Sequence, residues 1–302
     1  MPQFGHSFDE DIQHTQECYI RLLCQITISY KNYCEIMKYR HYNTTMSLLD
    51  LTKINNTYKL KVKGVAHFGA HLGEEVKEYK KLNYTNIHLF EPQKKLFKKL
   101  EESFSIFEDI YLYNVGLGKE KITSKLYLSP SNEGLSASLL KPSGHLEYHP
   151  EVIFEDTEDV EIYSYDGFDL KNVNYLIIDI QGYELEALKG SENSLKNYIE
   201  YICIEISREE LYEGAILKNE LDSYLEKFEF IRVNTRWASS KIPWGDAFYI
   251  KKTEVNAYKK ILLFFNKFFE EFRFYYLFID PYRKFNSWKY QTKQKIKKTL
   301  NF

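Results

Sequence analysis

The sequence is poor in cysteine, proline and glycine, and each shortage excludes a class of protein. Its four cysteines form no Cys-x-x-Cys pair and carry no zinc-finger spacing, so we expect reduced thiols in a cytosol-like compartment. With 13 glycines and 7 prolines among 302 residues, a collagen-like or linker-dominated chain is excluded. No stretch of about 20 residues lacks charge, and the first residues show no basic segment followed by an apolar run. We therefore expect neither a transmembrane span nor a secretory leader.

The residues that are abundant can build a core, and their charges are unevenly distributed. Hydrophobic residues make up 44% of the chain, charged residues 28% and aromatic residues 17%, which excludes a disordered chain. The formal net charge is −2, yet residues 251–302 hold 13 basic and 4 acidic side chains, against 28 and 39 in the remainder. An acidic body with a basic tail indicates that the tail meets an anionic surface or the body itself.

Hydrophobic patterning divides the chain into three predicted regions, residues 1–60, 61–252 and 253–302. The first is predicted to be a helical extension, with helical spacing over 12–37. In the second, short apolar runs alternate with amphipathic segments, which predicts an α/β fold with a mostly parallel sheet and helices on both faces. Its predicted elements are 62–68, 74–82, 86–90, 94–104, 110–115, 175–180, 184–195, 199–206 and 217–228, followed by an antiparallel edge hairpin of 230–234 and 247–251.

Candidate binding residues follow the first two predicted strands, because ligands bind at the carboxyl ends of parallel strands. The first strand leads into Gly69-Ala70-His71-Leu72-Gly73, a small-residue turn before a helix that lets the backbone approach a ligand. Its spacing departs from the Gly-x-Gly-x-x-Gly dinucleotide fingerprint, which argues against NAD. Glu91 ends the second strand about 20 residues further on, where it can accept hydrogen bonds from ribose hydroxyls. Turn and acid together indicate an adenosine-bearing ligand; separately, they fit an ordinary turn and an acid favoured by the helix dipole.

A second group of carboxylates follows the later strands. Asp179 comes directly after an apolar run, where it can bind a ligand amine, hold a metal or act as a general base. A helix cap is the structural alternative, with Glu184 in the first helical turn. Glu205 ends the next apolar run at the same edge. Asp179, Glu184 and Glu205 could together hold a divalent ion, but a metal-free site is the preferred prediction.

Ordered blocks between residues 65 and 250 resemble the FkbM-type methyltransferases, a class I S-adenosylmethionine-dependent family. The blocks are HFGAHLG at 67–73, FEP at 90–92, NVGLG at 114–118, GLSAS at 134–138, IDIQGYE at 178–184, LKG at 188–190, EIS at 205–207, LYEG at 211–214 and WGDA at 244–247. The resemblance implies a Rossmann-like class I methyltransferase fold and O-methylation of a sugar, a glycan or a glycosylated intermediate. Two alternatives stay open: a non-catalytic tethering protein that only binds the cofactor, and an NAD-dependent sugar dehydrogenase.

The same resemblance implies a cofactor site for S-adenosylmethionine. The turn at 69–73 would wrap the methionine part, Glu91 would hold the ribose, and Asn114 or Val115 would border the adenine. His67 and His71 stand where the commoner first motif has Asp and Asn, and Asp179 is the nearest substitute to hold the cofactor's ammonium group. The whole implied site is Phe68, Gly69, Ala70, His71, Leu72, Gly73, Glu91, Pro92, Asn114, Val115, Ser138, Asp179 and Gln181.

The predicted general base is Asp179, with His71 or His145 as alternatives. A sulfonium methyl group is a strong electrophile, so the protein has to exclude water, align the acceptor and remove one proton. A histidine has the better-placed unperturbed pKa, although His145 falls in a predicted loop where solvated histidines are common. Ser136 and Ser138 lie in that loop, at 129–157, either as substrate-facing hydroxyls of a lid or as ordinary loop polarity. Trp244 is either a sugar-stacking platform or a packing residue.

The third region predicts an amphipathic, aromatic and basic helix. Its apolar stripe at three-four spacing is Ile261, Phe264, Phe265, Phe268, Phe269 and Phe272. Contact with an anionic membrane surface is one use of such a helix, and covering the sheet or forming a homodimer contact are the others. No recognisable nucleic-acid module accompanies it. The sequence therefore predicts a cytoplasmic protein, peripheral at a membrane surface if the tail binds lipid.

Overall fold

The structure is a computed structural model that describes residues 48–239 and 242–255. The predicted helix at 12–37 and the predicted membrane or homodimer contact of the C-terminal tail lie outside the described residues. The expectation of reduced thiols at Cys18, Cys24 and Cys34 lies outside them too. In the part that is described, no helix is long and apolar enough to cross a membrane.

The described chain alternates strands and helices over most of its length. In chain order the elements are α1 (Leu51–Tyr58), β1 (Val65–Phe68), α2 (Val76–Lys81), β2 (Ile87–Phe90), α3 (Lys94–Phe104), β3 (Ile110–Tyr113), β4 (Gly116–Leu117), β5 (Ile122–Tyr127), α4 (His145–Tyr148), β6 (Thr157–Tyr163), β7 (Tyr175–Ile178), α5 (Glu184–Lys189), α6 (Glu192–Asn197), β8 (Tyr201–Ser207), α7 (Lys218–Glu226), β9 (Phe230–Trp237) and β10 (Trp244–Lys251). Short 3₁₀ turns lie at Pro130–Asn132, Tyr165–Phe168 and Lys252–Glu254.

A seven-stranded sheet in the order β3-β2-β1-β7-β8-β10-β9 forms the centre of the fold. Strands β3, β2, β1, β7 and β8 pair in parallel, whereas β10 is antiparallel to both β8 and β9. The predicted α/β fold with a mostly parallel sheet and an antiparallel edge hairpin is therefore confirmed. In the register of the sheet, Phe68 lies opposite both Phe90 and Ile178. The residues that follow these three strands consequently meet at one point of the carboxyl edge.

Apolar side chains cover both faces of the central sheet. Val65 and Tyr175 belong to the core on one face, and Ala66 and Leu176 belong to the core on the other. Alternate residues of a strand point to opposite faces, so strands buried on both sides read as continuous apolar runs, which is the pattern that predicted them. Helix α1, which falls within the predicted N-terminal extension, contributes buried apolar side chains to the first of these cores.

The structure differs from the prediction in the helix expected over 184–195. It consists of two helices, α5 and α6, separated at Gly190 and Ser191. A Cβ atom on Gly190 would lie 1.9 Å from the carbonyl oxygen of Gly118, so the two backbones approach more closely than any other residue allows. The hydroxyl of Ser191 donates to the carbonyl of Ala187 at 2.7 Å, which ends the first helix with a local hydrogen bond.

A second, three-stranded sheet in the order β4-β6-β5 is absent from the prediction. Strands β5 and β6 carry mostly polar side chains, and only Leu126, Val160 and Ile162 form their buried apolar cluster. Patterning detects a strand through its buried face, so strands with so few apolar residues give a weak signal. The predicted strand at 110–115 likewise ends at Tyr113, and Gly116 begins β4 in the second sheet.

Replacing Tyr165 by phenylalanine is expected to stabilise the fold. The ring of Tyr165 packs against Phe68 and Phe90 with centroids 5.2 and 6.2 Å apart, while its buried hydroxyl has no hydrogen-bond partner among the described residues. Removing that hydroxyl should raise the free energy of unfolding by about 1 kcal/mol in a urea titration. Tyr58→Phe is the matched control, because the Tyr58 hydroxyl donates to the carbonyl of Val233 at 2.9 Å and its loss should destabilise. A loss of stability in both variants would contradict the assignment.

Candidate functional site

A cleft opens at the carboxyl ends of β1, β2 and β7. The space within it, counted together with the open solvent at its mouth, is about 590 Å³. Strands of the central sheet, the second sheet and the loop after β5 all contribute to its walls. The lining residues are Phe68, Gly69, His71, Phe90, Glu91, Pro92, Gln93, Val115, Gly116, Leu117, Leu126, Gly134, Leu135, Ala137, Leu139, Asp179, Ile180 and Gln181.

Gly69 forms the floor of this cleft in a conformation that only glycine adopts easily. Its φ is +78°, and a Cβ atom there would lie 2.0 Å from the carbonyl oxygen of Asp179. The N–H groups of Gly69 and Ala70 both donate to the carbonyl of Phe90 at 3.0 Å, which draws the turn towards β2. The result is a bare stretch of backbone between the ends of three strands, which is what close approach of a ligand requires.

His71 ties the glycine turn to two other parts of the cleft. Its N–H donates to Glu91 Oε2 at 3.0 Å, its Nδ1 lies 2.8 Å from Glu74 Oε1, and its Nε2 lies 3.0 Å from the carbonyl of Glu133. Burial lowers the pKa of His71, but the Glu74 carboxylate and the Glu133 carbonyl outweigh it, and the pKa is raised. An imidazolium donates to both partners at once, so this histidine serves as a clamp. A role as general base stays a prediction, and both its ring nitrogens are engaged.

Glu91 is the buried acid of the cleft, with 3% of its surface exposed. Its Oε2 accepts from the N–H of His71, and its Oε1 accepts from the N–H of Gln93 at 2.8 Å. Each carboxylate oxygen has a second lone pair, so both can still accept a hydroxyl hydrogen from a ribose diol. Burial raises the pKa of Glu91 to about 7 despite these two hydrogen bonds. The predicted ribose-binding residue can therefore accept the hydrogen bonds that the hydroxyl groups of a nucleoside donate.

Cofactor affinity should consequently depend on the protonation of Glu91. Hydroxyl donors bind the ionised carboxylate, whose pKa of about 7 places its titration near neutrality. We expect the affinity for S-adenosylhomocysteine to be highest above pH 7 and to fall by up to about tenfold per pH unit below it. Calorimetric titrations at pH 8, 7, 6 and 5.5 measure this slope. Glu91→Gln cannot titrate and should flatten it, whereas an unchanged slope in that variant would assign the pH dependence to another group.

The apolar wall of the cleft is built by β4, the residue before it and one residue of β5. Val115, Gly116 and Leu117 line it together with Leu126 of β5. Asn114 or Val115 was predicted to border the adenine; Asn114 does not line the cleft, because its Nδ2 donates to the carbonyls of Glu91 and Pro92 at 2.9 and 3.1 Å. Asn114 therefore holds the chain after β2, and an adenine ring would meet Val115 and its neighbours instead.

The loop after β5 closes one side of the cleft with apolar residues. Gly134, Leu135, Ala137 and Leu139 line it, whereas the predicted cofactor residue Ser138 is completely buried behind it. The Ser138 hydroxyl donates to the carbonyl of Gln181 at 2.6 Å and accepts from the N–H of Leu140 at 3.0 Å. Its role in the structure is to fasten the loop to the turn after β7. The serine at 136 is also buried, with its N–H donating to the hydroxyl of Ser129.

Most of the predicted cofactor residues meet at the cleft, and some lie behind it. Those that line it are Phe68, Gly69, His71, Glu91, Pro92, Val115, Asp179 and Gln181. Ala70, Leu72 and Gly73 lie outside the lining; a Cβ on Gly73 would be 2.4 Å from the Phe104 ring, so this glycine allows α3 to pack. The lining residues that the sequence reasoning missed come mainly from the second sheet and its loop, although the GLSAS block at 134–138 marked the loop.

Asp179 separates the cleft from a second, smaller cavity, whose space is about 290 Å³ when the open solvent at its mouth is included. The second cavity lies on the face of the sheet that carries Val65 and Tyr175, and Asp179 lines both spaces. Its walls are His67, Glu75, Ile177, Ile178, Asp179, Cys203, Ile204, Glu205 and Asp246. Burial raises the pKa of Asp179 and that of Glu205, because both carboxyl groups are far from water. The Asp179 carboxyl group thus lies in the wall between the cleft and the second cavity.

Glu184, the third carboxylate that the sequence singled out, contacts backbone N–H groups at the start of α5. Glu184 Oε1 accepts from the N–H groups of Gly182 and Ile180 at 3.0 and 3.4 Å, as a helix-capping acid would. In the described residues, no group of three or more His, Cys, Asp or Glu side chains is arranged to hold a metal ion.

His145 begins α4 and is buried rather than solvated, with its ring 5.5 Å from that of Tyr212. Burial lowers its pKa to about 4, and it lines neither cavity.

The strand order, the glycine turn and the acids after β2 and β7 are those of the class I methyltransferase fold, with a cleft at the carboxyl edge of the sheet. The chain belongs to the Methyltransferase FkbM domain family, whose model matches residues 66–232. This match confirms the family resemblance, the Rossmann-like fold class and S-adenosylmethionine as the cofactor. The dehydrogenase alternative receives no support from it. Bare backbone at Gly69 and the paired acceptor oxygens of Glu91 fit that cofactor.

Two solved methyltransferase structures are similar to part of this chain. The FkbM methyltransferase of Methylobacillus flagellatus is 15% identical with a TM-score of 0.43, and the match covers 62% of this chain and 43% of that one. This chain thus spans less than half the length of that relative. A SAM-dependent methyltransferase of Aquifex aeolicus is 16% identical, with a TM-score of 0.38 and coverages of 67% and 90%. No curated protein sequence matches the chain.

Proposed function

We propose that the protein transfers a methyl group from S-adenosylmethionine to a hydroxyl group of a sugar or glycan. The cofactor supplies a methyl group on a sulfonium sulfur: the acceptor oxygen bonds to the methyl carbon, the C–S electron pair stays on sulfur, and the acceptor's proton leaves. The observation that carries the proposal is the position of the Asp179 carboxylate, which lines the cofactor cleft on one side and, on the other, a smaller cavity that also contains Glu205. Asp179 is the proposed acceptor of the proton.

The strand register supports a hydroxyl-rich acceptor at the sheet edge beside the second cavity, which itself has room for little more than one water molecule. Glu205 of β8 lies opposite Asp246 of β10, and Ser207 lies opposite Trp244. Opposed residues of an antiparallel pair share a face, and residues two apart in a strand do too, so all four belong to one face. Asp246 Oδ2 already accepts from the N–H groups of Leu48 and Leu49, so Glu205 is the carboxyl group of this set that is proposed to accept from an acceptor's hydroxyl group. A half-buried tryptophan at the rim offers an apolar ring to the C–H face of a sugar. Anionic acceptors would be repelled by the carboxylates.

The test is methyl transfer from cofactor labelled in its methyl group to a panel of neutral, amino and acidic sugars. We expect label in neutral or amino sugars, retained after mild alkali, because a methyl ether resists hydrolysis whereas a methyl ester does not. Mass spectrometry then separates an ether from an N-methyl group. Label that is released by alkali, or that resides on nitrogen, would contradict O-methylation of a hydroxyl.

The tethering alternative differs in one measurable respect. A protein that only binds the cofactor would bind S-adenosylhomocysteine and would transfer no label to any member of the panel. That combination would replace the proposed enzymatic function. Asp179→Asn is the matched control for a positive result, because it keeps the side-chain volume and removes the proton acceptor; its transfer rate should fall by about 100-fold or more.

A further inference from the structure

Asp179 and Glu205 form a carboxyl pair in the wall between the two cavities. One nitrogen, Gln181 Nε2, lies 2.7 Å from Asp179 Oδ1 and 3.0 Å from Glu205 Oε2, so the two carboxyl groups are close neighbours. Two neighbouring buried carboxyl groups oppose each other's ionisation, so they titrate as a pair. Burial raises the pKa of both carboxyl groups, and the neighbouring Asp179 charge raises that of Glu205 further. Asp179 is the member that also lines the cofactor cleft.

One side chain holds both members of this pair. The Nε2 of Gln181 donates to Asp179 Oδ1 at 2.7 Å and to Glu205 Oε2 at 3.0 Å, which uses both amide hydrogens. The backbone of Gln181 has a φ of +53°, unusual for a residue other than glycine, and Gly182 follows with a φ of +100°. This turn aims the amide back at the ends of β7 and β8 instead of out into solvent, a local strain of the kind found at functional sites.

Tyr212 determines which end of the amide faces the carboxyl groups. Its hydroxyl lies 2.9 Å from Gln181 Oε1 and 3.1 Å from the carbonyl of Ser136, and it can donate to either acceptor. With Oε1 turned towards the hydroxyl donor, the NH₂ group of Gln181 must turn towards the carboxyl pair. Tyr212 is buried and its ring contacts the ring of His145, and this packing holds the hydroxyl group in place.

The groups around the pair are predominantly acidic. The charges of His67 in β1 and of Glu75 affect the pKa of Asp179. Those of Glu184 in α5 and Asp246 in β10 affect the pKa of Glu205. His67 contributes no positive charge at neutral pH, because burial lowers its pKa to about 4. Like charges at this density oppose full ionisation of the pair, whereas the amide of Gln181 favours it. The balance between these two influences sets the protonation of the pair.

We propose that Asp179 and Glu205 act as one proton-sharing unit facing the sulfonium of the cofactor, and that Gln181 and Tyr212 are positioning residues that hold this unit. The proposal rests on the proposed function. Asp179 accepts the proton that the acceptor's hydroxyl loses when its oxygen bonds to the methyl carbon. The O–H electron pair remains on that oxygen, and the proton is then shared with the neighbouring carboxyl group until product leaves. The more negative the pair, the more strongly it favours the sulfonium cation.

The affinities of two cofactor forms test this proposal without any acceptor. S-adenosylmethionine carries a sulfonium charge, and S-adenosylhomocysteine lacks it but shares the nucleoside and the amino acid. We expect the ratio of their dissociation constants, Kd of the homocysteine form over Kd of the methionine form, to rise about tenfold between pH 5 and 9 as the pair loses protons. The titration of Glu91 affects both ligands equally and cancels in the ratio.

Substitutions around the pair should shift the pH at which this ratio of dissociation constants rises, some to higher pH and some to lower pH. Gln181→Leu removes two N–H donors, so the pair keeps its proton longer and the rise shifts to higher pH; Tyr212→Phe should shift it the same way by less. Glu205→Gln leaves Asp179 without a like-charged neighbour, so the rise shifts to lower pH. Asp179→Asn should abolish it. Gln93→Leu, in the same cleft but away from the pair, should weaken both ligands in parallel, and Tyr165→Phe should leave the ratio unchanged.

The outcomes separate this inference from the proposed function. Opposite shifts in Gln181→Leu and Glu205→Gln, with folded protein in each case, would establish the proton-sharing unit. Binding of both ligands with a ratio that does not change with pH, or that shifts equally in Gln93→Leu, would overturn it while leaving the methyltransferase function intact. Failure of the wild-type protein to bind either ligand would overturn the proposed function itself.

Discussion

Gly69→Ala should abolish measurable binding of S-adenosylhomocysteine. The added Cβ would lie 2.0 Å from the carbonyl oxygen of Asp179, and the residue would have to keep a φ of +78°. Left-handed backbone costs an L-residue about 1–2 kcal/mol, and the clash with a backbone atom adds about 1–3 kcal/mol, so the free energy of unfolding should fall by about 4 kcal/mol. Any relaxation separates β1 from β7 at the floor of the cleft. Urea denaturation and calorimetric titration measure the two effects.

Gly214→Ala is the matched control for this variant. Gly214 has nearly the same φ, +79°, but a Cβ there would meet nothing within 4 Å. It should therefore show only the backbone cost of about 1 kcal/mol and bind the cofactor normally. If Gly69→Ala does not fold, Gly134→Ala offers a milder change in the same cleft, because its Cβ would press on the flexible end of Gln93 at 3.0 Å. Normal cofactor binding by folded Gly69→Ala would contradict the assigned floor.

Glu91→Ala should weaken cofactor binding by about 100-fold, which corresponds to about 3 kcal/mol. The substitution removes the acceptor for the ribose hydroxyls and leaves the N–H groups of His71 and Gln93 without their carboxylate partner. Glu91→Gln keeps one acceptor oxygen but turns an NH₂ group towards one of those donors, so its loss should be smaller, about tenfold. Calorimetric titration with S-adenosylhomocysteine at pH 8 compares the three proteins.

Glu158→Ala provides the control for charge near this site. Glu158 accepts from the N–H of Lys94 at 3.3 Å and influences the pKa of Glu91, but it does not line the cleft. Its removal should leave the affinity within about twofold of wild type, as expected for a partly exposed carboxylate outside the site. An affinity of Glu91→Ala equal to that of Glu158→Ala would remove Glu91 from the cofactor site.

The sequence was sufficient to predict which residues meet at the carboxyl edge of the central sheet, because strand geometry determines it. Gly69, Glu91 and Asp179 each follow a short apolar run, and parallel strands in register must bring such residues to one edge. No knowledge of the loops was needed for that step. The same reasoning predicted the antiparallel hairpin, because two apolar runs close in sequence pair locally.

Residues whose role depends on distant contacts were not predictable in this way. The direction of the Ser138 hydroxyl is decided by the carbonyl of Gln181, 43 positions later, and the burial of His145 by packing against Tyr212. Likewise, the amide of Gln181 owes its orientation to Tyr212, which lies 31 positions further along the chain. Hydrophobic periodicity carries no information on such pairings, since they arise from packing between elements.

Calorimetric titration of the purified protein with S-adenosylhomocysteine, with NAD as the control ligand, tests the central claim most directly. A cleft with bare backbone at Gly69 and acceptor oxygens on Glu91 predicts micromolar binding of S-adenosylhomocysteine and no binding of NAD, whose pyrophosphate needs a different glycine spacing. Binding of NAD, or of neither ligand by a folded sample, would contradict the account.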